Sequence, residues 1–464
     1  MSLPLVAADP AVQRQARPRP GCGQSADSAL PGRHDKDSQR DRLLAAIVAV
    51  CCEYGYEEAT IARVIDHAGV SRPTFYEYFA HKEACLLAAS EQLQRRMLAA
   101  VRRGVAEQPP QEAAASAIAA LVRFAHEHPL QARFVMNETM VAGRRALDAR
   151  DRGVDSIAKL IKDAYRHVAP GALIPALPEE ILTGTLYRLL SLRLVHCEQE
   201  WPQFQAELLA WLAAYKSPAS RQRWRTLAPV PAPARSPFLA PAPLRAPPAL
   251  APGRPRRSAP EVSENHRLRI IFATAEIVSP HGYAATTVAE ITRAAGIDGR
   301  VFYKLFAGKR DAFAAVREFA FQNAMAVTAG AFFVGEDWPQ RVWQAGATFT
   351  QYLQEHPALT HACVVESHAG GAAAAQRLQD LVAGFTIFLQ EGYGYRPLRS
   401  APSRVALDAV AQGNFEIVYR QARTSSRPAM AGVLAHLAYV SLTPFVGAAK
   451  ADELIAQLGR RESP

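Results

Sequence analysis

GYEEATIARVIDHAGVSRPTFYEYFAHKEA, residues 55–84, is echoed 227 positions later by GYAATTVAEITRAAGIDGRVFYKLFAGKRD, residues 282–311. The two stretches align without a gap. Gly55/Gly282, Tyr56/Tyr283, Thr60/Thr287, Gly69/Gly296, Phe75/Phe302, Tyr76/Tyr303, Phe79/Phe306 and Lys82/Lys309 coincide. Self-similarity at this distance is too long for a solenoid repeat and marks a duplicated domain. The likeness continues downstream, where HEHPLQARFVMNE (126–138) matches QEHPALTHACVVE (354–366). Helical stretches at 178–197 and 201–215 are answered in kind by 403–422 and 428–446. Each half therefore reads as a small helical module followed by a larger helical bundle, an all-α fold made of two fused copies.

Inside the first stretch the periodicity predicts a helix over 39–54, with Leu43, Leu44, Ile47 and Cys51 on one face. Gly55 closes it. Thr60 is placed to cap a second helix whose inward face is Ile61, Val64 and Ile65. Gly69 sits in a tight turn, and Ser71 opens a third helix that runs through Tyr78. Two short helices joined by a glycine-containing turn form a helix-turn-helix. In the second stretch Thr287 and Glu290 make a capping box, and Asp298 takes the place of Ser71. Phe75, Phe79, Phe302 and Phe306 read as core.

The run from Thr60 to Glu83, with Ala-Gly-Val-Ser-x-Pro-Thr-Phe-Tyr-x-Tyr-Phe-x-x-Lys-Glu at its end, resembles the DNA-binding domain of TetR-family (AcrR-like) transcriptional regulators. Thr287 to Arg310 resembles it too. The resemblance covers about 45–60 residues of each copy and implies a divergent ligand-binding and dimerisation domain behind each head. It implies that Thr60, Tyr76 and Lys82, and likewise Thr287, Tyr303 and Lys309, hold backbone phosphates. Such contacts position a protein without reading sequence. Base reading then falls to Ser71, Arg72 and Thr74 in the first head. In the second it falls to Gly299, Arg300, Val301 and Lys304. Scaffold positions agree between copies while reading positions differ, so the heads are expected to prefer unlike half-sites. For Tyr76 and Tyr303 the competing reading is packing with a wet hydroxyl.

These boundaries divide the chain into a disordered tail (1–38), a first head (39–97), a first ligand/dimerisation domain (98–216), a linker (217–262), a second head (263–325) and a second ligand/dimerisation domain (326–464). The linker holds twelve prolines and eight arginines, with Glu261 its only acid. Proline lacks the amide donor, so a semi-rigid spacer is expected, with its arginines either solvated or holding DNA loosely. That segment carries much of the chain's net charge of +10, and the first head holds seven Lys/Arg against eight Asp/Glu. Bulk charge therefore says little about nucleic acid.

The six cysteines show no zinc spacing, and Cys51, Cys52 and Cys85 align with Val278, Ser279 and Ala312, which points to packing. His126 and His128 form an HxH, but only His128 recurs, as His356, which favours a helix-end residue before proline over a metal ligand. Glu138 and Glu366, acids in apolar stretches, either meet an effector or satisfy a helix terminus. Phosphate-loop, nucleophile-elbow and paired-histidine motifs are missing, so no catalysis, cofactor or metal is expected. No apolar run reaches the roughly 20 residues of a membrane span, and a cytoplasmic chain is expected.

The sequence thus points to an effector-responsive DNA-binding repressor. It would act on a double-stranded operator and respond to a small molecule of unspecified identity. Dimerisation would come either from pairing of the two halves within one chain or from a homodimer with four heads. The rival reading is a ligand- or protein-binding adaptor whose heads no longer read DNA.

Overall fold

The computed structural model describes residues 39–196, 200–221, 223–227, 234–250, 258–366, 368–369, 372–395 and 401–461. The expected tail 1–38, Cys22 and Cys197 lie outside the described residues. The first half runs α1 (Gln39–Tyr54), α2 (Ile61–Ala68), α3 (Arg72–Tyr78), α4 (Lys82–Ala106), α5 (Ala113–Glu127), α6 (Pro129–Arg133), α7 (Arg144–Tyr165), α8 (Glu179–His196) and α9 (Trp201–Ala214). The second repeats the order as α10 (Ala259–His281), α11 (Val288–Ala295), α12 (Gly299–Leu305), α13 (Lys309–Phe332), α14 (Trp338–Glu355), α15 (Pro357–Thr360), α16 (Ala372–Gly384), α17 (Arg404–Arg423) and α18 (Leu434–Val446). A further helix, α19 (Ala448–Arg461), follows. Among the described residues one small antiparallel pair, β1 (Leu173–Pro175) with β2 (Lys216–Pro218), interrupts an otherwise helical fold.

The two halves are packed on each other through α8 and α9 on one side and α17 and α18 on the other. α8 and α17 approach so closely that a Cβ on Gly184 would overlap the Glu416 carboxyl. Glu416 is fully buried, and Arg150 of α7 grips it with two hydrogen bonds, at 2.7 and 2.6 Å. Arg188 Nε adds a third at 3.0 Å and Arg420, one turn along α17, a fourth at 3.1 Å. Around this centre Arg420 pairs with Asp155, Arg423 with Asp148, and the Tyr419 hydroxyl donates to Asp151. Tyr215 donates to the Val440 carbonyl at 2.8 Å. A buried carboxylate is costly unless its oxygens are satisfied by charge and hydrogen bonds, and three guanidinium groups do so here.

The proline-rich segment corrects the expectation of a spacer. Its start is β2, and Trp224 lies buried and stacked on Tyr439, ring centres 4.4 Å apart, while donating to Asp452 of α19 at 3.0 Å. Residues 234–250 strap the second half. Arg235 pairs with Glu355, the Ser236 amide donates to Gln351 at 2.7 Å, and the Leu244 amide donates to His356 Nε2 at 2.8 Å. Prolines forbid a ladder but not burial, because the remaining amides find side-chain acceptors. Residues 222, 228–233 and 251–257 of the segment lie outside the described residues. The second head begins within the expected linker: Ser258 and Glu261 form a capping box at the start of α10, with Pro260 in the first turn where its missing amide costs nothing.

The cores of the two heads are closed differently. Leu43, Ile47, Cys51, Val64, Phe75 and Leu86 belong to one apolar core that continues into the body of the molecule. Ile270, Ile271, Val278, Ile291, Phe302 and Phe313 form a separate core, closed by Leu359, Ala362 and Ala369.

Candidate nucleic-acid interface

Each head is built by the same local chemistry. In the first, Thr60 Oγ1 accepts from the Arg63 amide at 3.3 Å, Gly69 turns the chain at φ 60°, and Ser71 Oγ accepts from the Thr74 amide at 3.2 Å. The left-handed turn requires glycine, since a Cβ there is strained. In the second, Gly296 has φ 59°, and the Asp298 carboxylate accepts from the Arg300 amide at 2.8 Å. The Thr287 box is complete: Thr287 Oγ1 accepts from the Glu290 amide, and the Glu290 carboxylate accepts from the Thr287 amide at 2.8 Å. The Thr287 hydroxyl also donates to that carboxylate at 2.8 Å, and it, with the Thr287 amide, pulls the Glu290 carboxyl below its ordinary value.

The third helices, α3 and α12, are seven residues each and expose opposite chemistry on opposite faces. Phe75, Phe79, Phe302 and Phe306 are buried, as expected. Tyr76 is 48% exposed and Tyr303 62% exposed. An aromatic ring left in water beside a fully buried phenylalanine has a hydroxyl free for a partner. Ser71, Arg72, Gly299, Arg300 and Lys304 are also exposed, while Thr74 and Val301 are half-buried. The expected reading residues thus lie on or beside the third helix of each head, most of them at its surface.

Lys82 and Lys309 sit elsewhere. Lys82 Nζ donates to the Tyr56 carbonyl at 2.7 Å, and Lys309 Nζ to the Tyr283 carbonyl at 2.9 Å. Each ammonium lies over the ring of the same tyrosine, at 4.1 and 4.4 Å. Burial lowers both lysine pKa values. These lysines therefore tie α4 and α13 to the turn that ends the first helix of each head. The sequence reading missed a second repeated pair: Arg269 donates to the Gly296 carbonyl at 3.4 Å, and Arg42, its equivalent, reaches the same turn at Gly69. The constant offset of 227 was the available signal. It also missed His81, whose Nδ1 accepts from the Ala84 amide and caps α4.

The heads differ in charge. Between Thr60 and Glu83, Arg63, Arg72 and Lys82 are balanced by Asp66, Glu77 and Glu83. Between Thr287 and Arg310, five bases face only Glu290 and Asp298. Exposed Glu77 on α3 stands where α12 carries Lys304.

Behind the heads, several expectations resolve. Glu366 accepts from the Tyr283 amide at 3.3 Å and so serves a chain junction at the second head, while Glu138 pairs with Arg133. His128 and His356 end their helices before proline. Cys51, Cys85 and Cys363 have thiols pushed up to about 12 by burial, which leaves them unreactive. A cavity of about 180 Å³ opens in the second half between α13, α14, α16 and α17. Trp338, Trp343 and Phe332 are core residues, Phe333 is exposed, and none of the four lines that cavity.

Residues 43–89 and 270–316 each match the family described as bacterial regulatory proteins, tetR family. The HTH-type transcriptional activator FasR of Mycolicibacterium smegmatis is 30% identical over 93 residues, which is 20% of this chain. The chain spans 41% of the length of that relative. Among solved structures, the fatty acid degradation regulator FadR of Bacillus halodurans aligns at 17% identity and TM-score 0.33, covering 37% of this chain and 97% of its own. FadR of Bacillus subtilis, solved with stearoyl-CoA, aligns at 15% identity and TM-score 0.33, covering 37% of this chain and 96% of its own. The DNA-binding head of the tetR family is therefore present twice in this all-α chain, over residues 43–89 and 270–316, each time with its caps, turn and exposed third helix.

Proposed function

We propose that the chain is a cytoplasmic, effector-responsive transcriptional regulator that grips one duplex with two unlike heads. The observation that carries this is the paired exposure of Tyr76 and Tyr303 on capped third helices whose phenylalanines are buried. Exposed aromatic hydroxyls beside Arg72, Arg300 and Lys304 suit phosphate and base edges. The packing of α8 and α9 on α17 and α18 supports a pseudo-dimer formed within one chain. Tethering also favours that arrangement over assembly between chains.

Selection of bound sequences from random duplex DNA tests the reading. It should enrich a site with two different halves, centred about one helical turn apart. A perfect inverted repeat would reject unlike heads, and no enrichment would favour the adaptor. The matched relative is named an activator, whereas our reading is repression. A promoter fusion carrying the selected site decides the sign: reporter output falls on expression of a repressor.

A further inference from the structure

We infer that this chain senses its effector with the second half alone and relays it to the second head alone. The inference rests on the regulator reading above and specifies its regulation. The cavity exists because the second half has lost bulk. Ala320, Ala324 and Gly346 line it, and the first half carries Leu93, Met97 and Ile118 at the matching positions, all buried. The first half also presses α7 into this space. Gly153 lies so near α4 that a Cβ would meet the Gln94 side chain at 3.1 Å, and Val154, Ile157 and Ile161 are buried. In the second half the equivalent helix is divided into α16 and a 3-10 segment, Phe385–Tyr393.

The lining is mainly apolar, with Phe321, Phe349 and Phe385 among its rings. Asn414 faces the cavity, donates to Ser441 at 2.9 Å, and its carbonyl oxygen is buried without a partner. Either orientation of the amide leaves one polar atom for a guest. The space is on the order of a dozen times what one water needs, so the ligand class is an apolar molecule of about that many non-hydrogen atoms with one polar head.

One short segment connects guest and head. Leu359, Thr360, Cys363 and Val364 line the cavity, while Leu359, Ala362 and Ala369 close the core of the second head. Glu366, next along the chain, holds the Tyr283 amide, and Arg317 in the cavity wall donates to the Ala369 carbonyl at 3.3 Å. A guest that shifts this π-helical turn, His361–Val365, moves the floor of that head. In the matching segment of the first half Ala132, Val135 and Met136 are buried, and the groove beside it, between α4 and α5, is open with Arg96, Arg103, Glu107 and Arg123 in its walls.

Decanol and decanoate serve as probes on the full chain, with binding followed by calorimetry and backbone exchange by mass spectrometry. We expect one molecule per chain and altered exchange across 270–316, with 43–89 unchanged. Ala320→Leu with Ala324→Met, which writes the first half's side chains into the second, should weaken binding at least about tenfold with the fold retained in the thermal melt. Two molecules per chain, an equal response in both heads, binding unaffected by the double variant, or no binding of either probe would each overturn the inference. Binding to the selected duplex is measured on the same samples. A one-sided response without DNA binding overturns the regulator reading and supports this one. DNA binding with a symmetric or absent response does the reverse.

Discussion

Tyr76 and Tyr303 differ from Phe75 and Phe302 by one position and by their entire environment. On the proposed reading each hydroxyl makes one bond to a charged phosphate, worth about 1.5–3 kcal/mol, so Tyr76→Phe and Tyr303→Phe should each weaken binding about tenfold or more. The loss should be alike on all sequences and leave the melting temperature unchanged, as titrations against two unrelated duplexes will show. Lys304→Ala should relax the sequence preference of the half-site under the second head, since a lost base contact costs about 1–3 kcal/mol of discrimination. A preference unchanged by that variant would place Lys304 away from the bases. At this scale the sequence was most informative for residues fixed by local chemistry, such as the Thr287 box and the cap at Asp298. It was least informative for Lys82 and Lys309, whose acceptors lie 26 positions back along the chain. Charge and family resemblance pointed those ammonium groups outwards, but carbonyls at a helix end bind them first.

At the scale of elements, helix bounds followed from caps and apolar spacing, and α1 runs over the 39–54 read from periodicity. The contact between α8 and α17 was not legible, because Glu416, Arg150 and Arg188 are distant in sequence and ordinary in type. Glu416→Gln leaves buried guanidinium groups without their carboxylate and should cost about 3–5 kcal/mol in chemical denaturation. The pH dependence has two stages. Burial alone would raise the Glu416 carboxyl, but Arg150 and Arg188 hold it down at about 2, against an ordinary 4.5. Its contribution is therefore full above pH 4.5 and lost between 4.5 and 2. Burial drives His368 to about 3 and His436 to about 4 from 6.5, so both stay neutral when folded. The unfolded chain takes up those protons first, and stability should decline as pH falls from 6.5 towards 4. A denaturation series from pH 7 to 3 should show both stages, and Glu416→Gln should remove only the lower one. Stability that stays flat from pH 7 to 5 would count against neutral burial of these histidines.

For the whole molecule, the duplication was plain from the sequence, whereas the division of labour was not. The two halves keep one element order, yet the second has an apolar cavity and a separately closed head while the first fills the matching positions with larger side chains. That difference comes from side-chain bulk at Leu93, Met97 and Ile118, which a pattern of apolar positions does not register. The proline-rich segment belongs to the same lesson: its prolines announce a spacer, and Trp224, Ser236 and Leu239 bury it against the body. The central claim is that one chain supplies both heads. Light scattering of the purified protein, free and on its selected duplex, tests this most directly. One chain of 50.5 kDa per duplex is the predicted result, and a protein mass of twice that, free and bound, would contradict it.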